Sequence, residues 1–265
     1  MKISAQVLVE NEENFVWYSI MSVLPYVDEV RIVNAGSRDN TFAILQSIQE
    51  CFPKKVILSN EKKLSQTEYP LMRQRMLKAT DCDWILVVDG DEIWWDDTIQ
   101  PVVEMIRTEG TKLDSIVTPF VTCIGDMYHI QSNASGKYRI DGQQGHLTIR
   151  AINKAVPQLQ VKNMYPHEGY FSDTVPVQDL SSTRRAHMLT PCFMHMTYLK
   201  RTSIHTNKVK RAVGVLLPGD FFYPEVLFKK TPDNVLFPFR NQLPHQKLIG
   251  SLSTIARSIK HTVSR

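Results

Sequence analysis

Trp84-Ile85-Leu86-Val87-Val88-Asp89-Gly90-Asp91-Glu92 is the stretch that decides the fold. Its apolar run reads as a strand buried on both faces, the habit of a parallel sheet. The run ends in two carboxylates two residues apart. In an extended segment residues i and i+2 point the same way, so Asp89 and Asp91 can converge on one centre. Gly90 removes a side chain where a phosphate or ribose has to come close. Carboxylate oxygens are hard ligands suited to Mg²⁺ or Mn²⁺, ions that keep several waters and are completed by substrate phosphates. Open α/β sheets hold ligands at the carboxyl ends of their strands, where this motif falls. The plainer alternative is an Asp-Gly hairpin turn.

The residues upstream set the context. Ile3–Val9 reads as a buried strand closed by Glu10-Asn11-Glu12, and Phe15–Leu24 as a helix. Val30–Val33 reads as a second strand, followed by the turn cluster Asn34-Ala35-Gly36-Ser37-Arg38-Asp39-Asn40. A helix starts near Thr41, with Ile44, Leu45 and Ile48 on one face and Asp39 or Asn40 as its cap. Val56–Leu58 is a third strand, and Tyr69–Thr80 a helix. This rhythm predicts an α/β fold, a mostly parallel sheet with helices on both faces. Three strand ends rich in Asp, Asn, Glu and Gly then line one sheet edge, along which a nucleotide can lie. Each is also readable as an ordinary strand-to-helix loop. Trp94-Trp95 offers rings for stacking on a sugar or a core anchor for the next helix, which Asp96 and Asp97 would cap.

Past Ser115 the pattern loosens. Ser115–Cys123 and His146–Ile152 read as strands among irregular stretches, the acceptor half of the same domain. Near the end, Leu248, Leu252, Ile255, Ile259 and Val263 recur every three or four residues opposite Arg257, Lys260 and Arg265. They predict a basic amphipathic helix.

Of the 265 residues, 43% are hydrophobic and 22% charged, which excludes a collagen-like, disulfide-scaffold or disordered chain. No apolar run approaches the roughly 20 residues of a membrane-spanning helix. Met1–Gln6 lacks the features of a signal peptide. Cys51, Cys82, Cys123 and Cys192 form no CxxC pair and read as reduced thiols of a cytoplasmic protein. The net charge of +4 hides an asymmetry. Residues 1–115 carry 12 basic and 19 acidic side chains, and residues 184–265 carry 14 and 3. Such a basic end suggests an anionic partner. An anionic membrane surface suits the tail, with the protein peripheral on the inner face. Nucleic acid is the other candidate, through Arg184, Arg185, Lys200, Arg201, Lys208, Lys210 and Arg211.

Taken together the motifs resemble inverting glycosyltransferases of family 2, with the GT-A fold. Glu10-Asn11-Glu12, Asn34 to Thr41, and Asp89-Gly90-Asp91-Glu92 match the family's three strand-end motifs in order. Farther on, the chain is similar to the lipopolysaccharide core glucosyltransferase branch. It shows His146-Leu147-Thr148-Ile149-Arg150, then Pro166-His167-Glu168-Gly169, then His195-Met196-Thr197-Tyr198, then Lys208 to Arg211-Ala212. Two positions depart: Asn34 replaces an acidic residue, and Arg73-Gln74 stands for Arg-Asn. The similarity covers residues 3–215, implying a GT-A domain over 1–215 and a basic extension over 216–265. The donor half would span about 1–115 and the acceptor half 116–215.

The resemblance implies transfer of a sugar from a UDP- or other NDP-sugar to a hydroxyl acceptor, a glycan, lipid-linked saccharide or modified nucleic acid. Val9, Glu10, Asn11, Glu12, Asn34, Gly36, Ser37, Asp39, Arg73, Asp89 and Gly90 would hold the nucleotide-sugar donor. Asp89, Asp91 and His195 would hold Mn²⁺ or Mg²⁺. Glu168 would be the general base, with Asp126 and Asp141 as rivals. A non-catalytic binding module on the same scaffold is one alternative, weakened by the intact Asp89-Gly90-Asp91. A sugar-phosphate nucleotidyltransferase is another, weakened by an acidic rather than Gly-rich first loop.

Overall fold

The computed structural model describes residues 1–204 and 214–239. The predicted tail over 248–263, with Lys208, Lys210 and Arg211, lies outside them.

The first half is a regular alternation. It runs β1 (Ile3–Val9), α1 (Val16–Val23), β2 (Glu29–Ala35), α2 (Thr41–Cys51), β3 (Val56–Glu61), α3 (Glu68–Ala79), β4 (Trp84–Val88), β5 (Glu92–Trp94) and α4 (Asp96–Glu109). Strands β3, β2, β1 and β4 lie side by side and parallel. The alternation of β1 explains the layering. Ile3, Ala5, Val7 and Val9 face the main core with α1, α2 and α4, while Leu8 packs with Met72 and Met76 of α3 on the other side. On β4, Trp84, Leu86 and Val88 join the main core, and Ile85 and Val87 pack under Leu77 and Val177. Apolar side chains on both faces are why β4 lacks a polar stripe.

The second half is more ordered than its sequence suggests. It holds β6 (Ser115–Ile124), β7 (Asp126–Ile130), β8 (Tyr138–Ile140), β9 (Gln143–Gly145) and β10 (Leu147–Asn153). Then come β11 (Leu159–Lys162), β12 (Gly169–Ser172), β13 (Val175–Pro176), β14 (Arg185–His187), β15 (Phe193–Tyr198) and β16 (Val215–Leu216). Strand β10 inserts antiparallel between β4 and β6, carrying the sheet onward. Strands β14 and β15 run parallel to β6, and β15 also pairs antiparallel with β5. The hairpin β8–β9 and the small sheet β11–β12–β13 have strands of only two to four residues, too few for an alternation to stand out in the sequence. Residues past Gly214 return to the main core: Leu217, Val226, Leu227 and Val235 are buried in it.

Local expectations are adjusted at three points. Asn40 caps α2 by position without a side-chain bond, and Asp39 accepts from Thr41 N–H at 3.0 Å instead. Asp96 and Asp97 fill the first turn of α4 rather than its cap, where their charge still favours the helix dipole. Trp94 and Trp95 are both buried, and Trp95 Nε1 donates to Phe222 O at 2.9 Å. The pair anchors the core and presents no ring for a sugar.

Candidate active site

Strand register builds the site. Val9 is opposite Asn34, Asn34 opposite Asn60, and Val7 opposite Val88. The carboxyl ends of β1 to β4 thus share one edge, and the loops after β1, β2 and β4 meet there.

The first two loops are tied to each other. Asn11 N–H donates to Ser37 Oγ at 2.9 Å, and Arg38 N–H to Asn11 Oδ1 at 2.8 Å. Glu12 N–H donates to Thr41 Oγ1 at 2.8 Å, and Asn40 N–H to Glu13 Oε2 at 3.0 Å. Asn11 holds a positive φ of 58°, a conformation asparagine tolerates. Side chains expected on a nucleotide, Asn11, Ser37 and Asp39, therefore shape the edge by cross-linking it. Asn34 is buried and donates to Asn60 Oδ1 at 2.7 Å, leaving its own Oδ1 without a partner among the described residues. Gly90 has a nearer reason to lack a side chain than a phosphate. A Cβ there would lie 2.7 Å from Val9 Cγ1 and 2.9 Å from Glu12 Cγ. Glu10 accepts from Tyr69 Oη at 2.6 Å and pairs with Lys63 at 3.2 Å. Tyr69 stacks on Tyr165, ring centroids 4.7 Å apart.

At the centre, three arginines each bridge two carboxylates. Arg73 Nη2 lies 2.9 Å from Asp89 Oδ1, with its Nε 3.5 Å from Glu168 Oε1. Arg150 Nη2 lies 2.8 Å from Asp89 Oδ2 and also pairs with Glu92. Arg201 Nη1 lies 2.6 Å from Glu12 Oε1 and 3.3 Å from Asp91 Oδ2. His195 Nε2 stands 3.5 Å from the same Asp91 oxygen.

Backbone geometry delivers the distant members. His195 sits opposite Glu92 where β15 pairs with β5, and Met196 N–H donates to Asp91 O at 2.8 Å. Arg150 falls at the register shift between Ile149 and Ala151, where β10 slips against β6. Such bulges re-aim side chains beside functional sites.

The electrostatics follow from burial set against these pairs. Burial raises Asp89, but Arg150 and Arg73 overcome it and hold the carboxyl well below the usual range. Burial likewise opposes ionisation of Asp91, and His195 with Arg201 holds it low. At Glu92 burial outweighs Arg150 and pushes the carboxyl up to about 7. Burial and the neighbouring Asp91 raise Glu12 well above its ordinary value, against Arg201. Burial lowers His195, and the Asp91 carboxylate more than reverses this.

The donor set can be tested against a divalent ion. Among the described residues no group of three or more His, Cys, Asp and Glu side chains is placed to hold one alone. Asp91 and His195 supply one carboxylate and one imidazole, a pair compatible with Mn²⁺. Glu12, Asp89, Asp91, Glu92 and Glu168 face three guanidiniums, so the cluster has a negative excess when all are ionised. Buried Glu12 Oε2, Glu168 Oε2, Arg73 Nη1, Arg150 Nε and Arg201 Nε also lack partners among the described residues. Orphaned polar atoms at one spot are costly unless a ligand completes them. The residues fit an ion whose shell is finished by diphosphate and water.

Other expectations resolve differently. Asp126 accepts from Tyr128 N–H and pairs with His129 at 2.8 Å. Asp141 is held by Arg185 at 2.5 Å and His187 at 2.7 Å. Both rival bases are engaged away from the arginine bridges. The expected nucleic-acid surface loses two members to internal work: Arg185 is buried on Asp141, and Arg201 sits in the carboxylate cluster, while Arg184 stays exposed in a surface pair with Asp114. Sequence reasoning overlooked Glu92, Arg150, Arg201, Tyr69 and Tyr165 as site residues. Glu92 and Arg150 stood inside quoted motifs, whereas nothing local marks Arg201 or the two tyrosines.

No curated protein matches the chain. Among solved structures, S. aureus TarS aligns at 14% identity with a TM-score of 0.50, over 75% of this chain and 37% of that one. The TarS fragment 1–349 aligns at 16% and 0.48, and this chain spans only 61% of its length. Glucosyl-3-phosphoglycerate synthase from Mycobacterium tuberculosis aligns at 16% and 0.47, over 73% of this chain and 71% of that one. The family model for glycosyl transferase family 2 matches residues 4–157, the stretch that contains β1 to β10 and the Asp89–Asp91 edge. With that match over more than half its length, and with the GT-A fold on which its strand-end motifs meet, the chain belongs to glycosyl transferase family 2.

Proposed function

We propose that the protein is a divalent-metal-dependent, inverting glycosyltransferase that moves a sugar from a nucleoside diphosphate sugar to a hydroxyl acceptor. The observation that carries this reading is the Asp91 carboxylate. It is buried beside Asp89 at the carboxyl end of β4, with His195 3.5 Å away on a strand from the far end of the chain. Asp91 and His195 would hold Mn²⁺ or Mg²⁺, and the ion would offset charge on the departing diphosphate. Asp89 would join them once the donor diphosphate draws Arg73 or Arg150 away. Residues 1–115 would hold the donor and 116–215 the acceptor.

Inversion needs one carboxylate to accept the acceptor hydroxyl proton while that oxygen bonds to the anomeric carbon and the bond to diphosphate breaks. Glu168 suits this role. Its Oε1 faces Arg73, and its Oε2 is buried without a partner among the described residues.

A screen of sugar nucleotides for Mn²⁺- or Mg²⁺-dependent binding and hydrolysis tests the proposal. Asp91→Ala should abolish the metal-dependent part. If Asp89→Ala and Asp91→Ala bound and hydrolysed every donor as well as the parent, the reading would be wrong. Glu168→Gln should keep donor binding while losing transfer by about 100-fold or more.

A further inference from the structure

We propose that the face built by residues 214–239 docks the protein onto an anionic lipid surface. The segment is half buried and half exposed, and the two halves have separate work. Its buried side is fastened firmly. Val226, Leu227 and Val235 sit in the main core. Trp95 Nε1 donates to Phe222 O at 2.9 Å, Tyr223 Oη to Met127 O at 3.0 Å, and Tyr18 Oη to Leu236 O at 3.1 Å.

The outer side is apolar. Phe228 is 64% exposed and Phe222 62%, and Leu216, Leu236, Phe237 and Tyr128 are exposed with them. Ring contacts join the centre of this face. Phe239 lies 6.0 Å from Tyr128, 6.0 Å from Phe228 and 5.4 Å from Phe237. Exposed aromatic rings on a rigid support are out of place in water and suited to the bilayer interface.

Charge selects the kind of surface. Residues 214–239 themselves hold Asp220, Glu225 and Asp233 against Lys229 and Lys230. The chain then continues from Phe239 into residues 240–265, which contain Arg240, Lys247, Arg257, Lys260 and Arg265 and no Asp or Glu. Cations following directly on an aromatic face complement an anionic headgroup layer. A nucleic-acid groove would instead interleave cations with the rings, and Arg185 and Arg201, which such a groove would need, are engaged internally. Asn40 at the donor edge donates to Asn234 O at 2.9 Å, so this face begins beside the carboxyl ends of the strands. The inference rests on the face and the basic segment, and it stands whether or not the chain transfers sugar.

Flotation of the full chain with phosphatidylcholine vesicles, with and without phosphatidylglycerol, tests it. The parent should bind the phosphatidylglycerol vesicles, and rising salt should weaken that binding. Phe228→Ser with Phe237→Ser should weaken it by about tenfold or more while leaving the circular dichroism spectrum unchanged. Failure of the parent to bind, or undiminished binding by the double variant, would overturn the proposal. So would a parent dimer that the same substitutions dissociate, or a preference for DNA over vesicles. Loss of donor hydrolysis in Asp91→Ala bears on the transferase reading alone and should leave flotation unchanged.

Discussion

Arg150→Met should destabilise the protein by an amount that grows with pH. The guanidinium bridges Asp89 and Glu92, and methionine keeps most of the stem while removing the charge. The Asp89 side chain is 31% exposed, so solvent screens that half of the loss. The Glu92 side chain is fully buried, and burial already lifts it to about 7 with Arg150 present. Without Arg150 it should stay protonated to about pH 9, the range buried glutamates reach. In the unfolded chain it ionises near about pH 4.3. Between pH 7 and 9 the variant's folded state then binds one proton more than its unfolded state, so stability falls by about 1.4 kcal/mol per pH unit. In the parent, Glu92 becomes ionised in both states above pH 7, and this slope fades. The deficit due to Glu92 is about 0.4 kcal/mol at pH 7 and about 2.3 kcal/mol at pH 9. Urea unfolding of the parent, Arg150→Met, Glu92→Gln and the double variant, with chelator present, measures it. The pH-dependent part should vanish in the Glu92→Gln background. An Arg150→Met deficit equal at pH 7 and pH 9 would refute the claim that Arg150 holds Glu92 ionised.

Two further substitutions probe the scaffold. Gly36 has φ +74°, and a Cβ there would lie 2.7 Å from Lys63 Cα, so Gly36→Ala should cost about 2 kcal/mol or more. Thermal unfolding should show a midpoint lowered by roughly 4 °C or more. The Arg185 side chain is 1% exposed and donates to Asp141, Ser115 Oγ and the carbonyls of Val177 and Leu180. Arg185→Met should cost about 3–5 kcal/mol; an unchanged melting temperature with weakened DNA binding would restore the surface reading of this residue.

What was legible in the sequence follows from range. The parallel block could be read because each strand there is a continuous apolar run and each helix repeats its apolar face within a turn or two. Asp89 and Asp91 could be read because their convergence needs only the two-residue period of a strand. His195 was reached through the motif around it, and the structure explains its place by β15 pairing with β5, a contact no periodicity encodes. Arg201 was assigned to a phosphate-tracking surface because a cation in an irregular stretch carries no sign of its partner. Its partner Asp91 lies 110 residues away. The short strands after residue 130 escaped for another reason, since two to four residues give an alternation too few positions to show.

The charge asymmetry along the chain gains a physical meaning from the same cluster. Four of its five carboxylates, Glu12, Asp89, Asp91 and Glu92, lie within residues 1–115, the acidic half. Two of its three arginines, Arg150 and Arg201, come from beyond that boundary. The acidic half therefore cannot neutralise its own strand edge. Left alone it would keep Arg73 for Asp89, while Asp91, Glu92 and Glu12 would lose every guanidinium they contact. Unpaired buried carboxylates cost several kcal/mol each, a large part of a domain's stability. The strand β10, with its register shift, and the stretch after β15 thus bring the guanidiniums together with the burial that makes them necessary, whatever they also do for an acceptor. Opposite charges placed far apart in sequence therefore favour the packing of the second half against the first at the edge where a donor would lie.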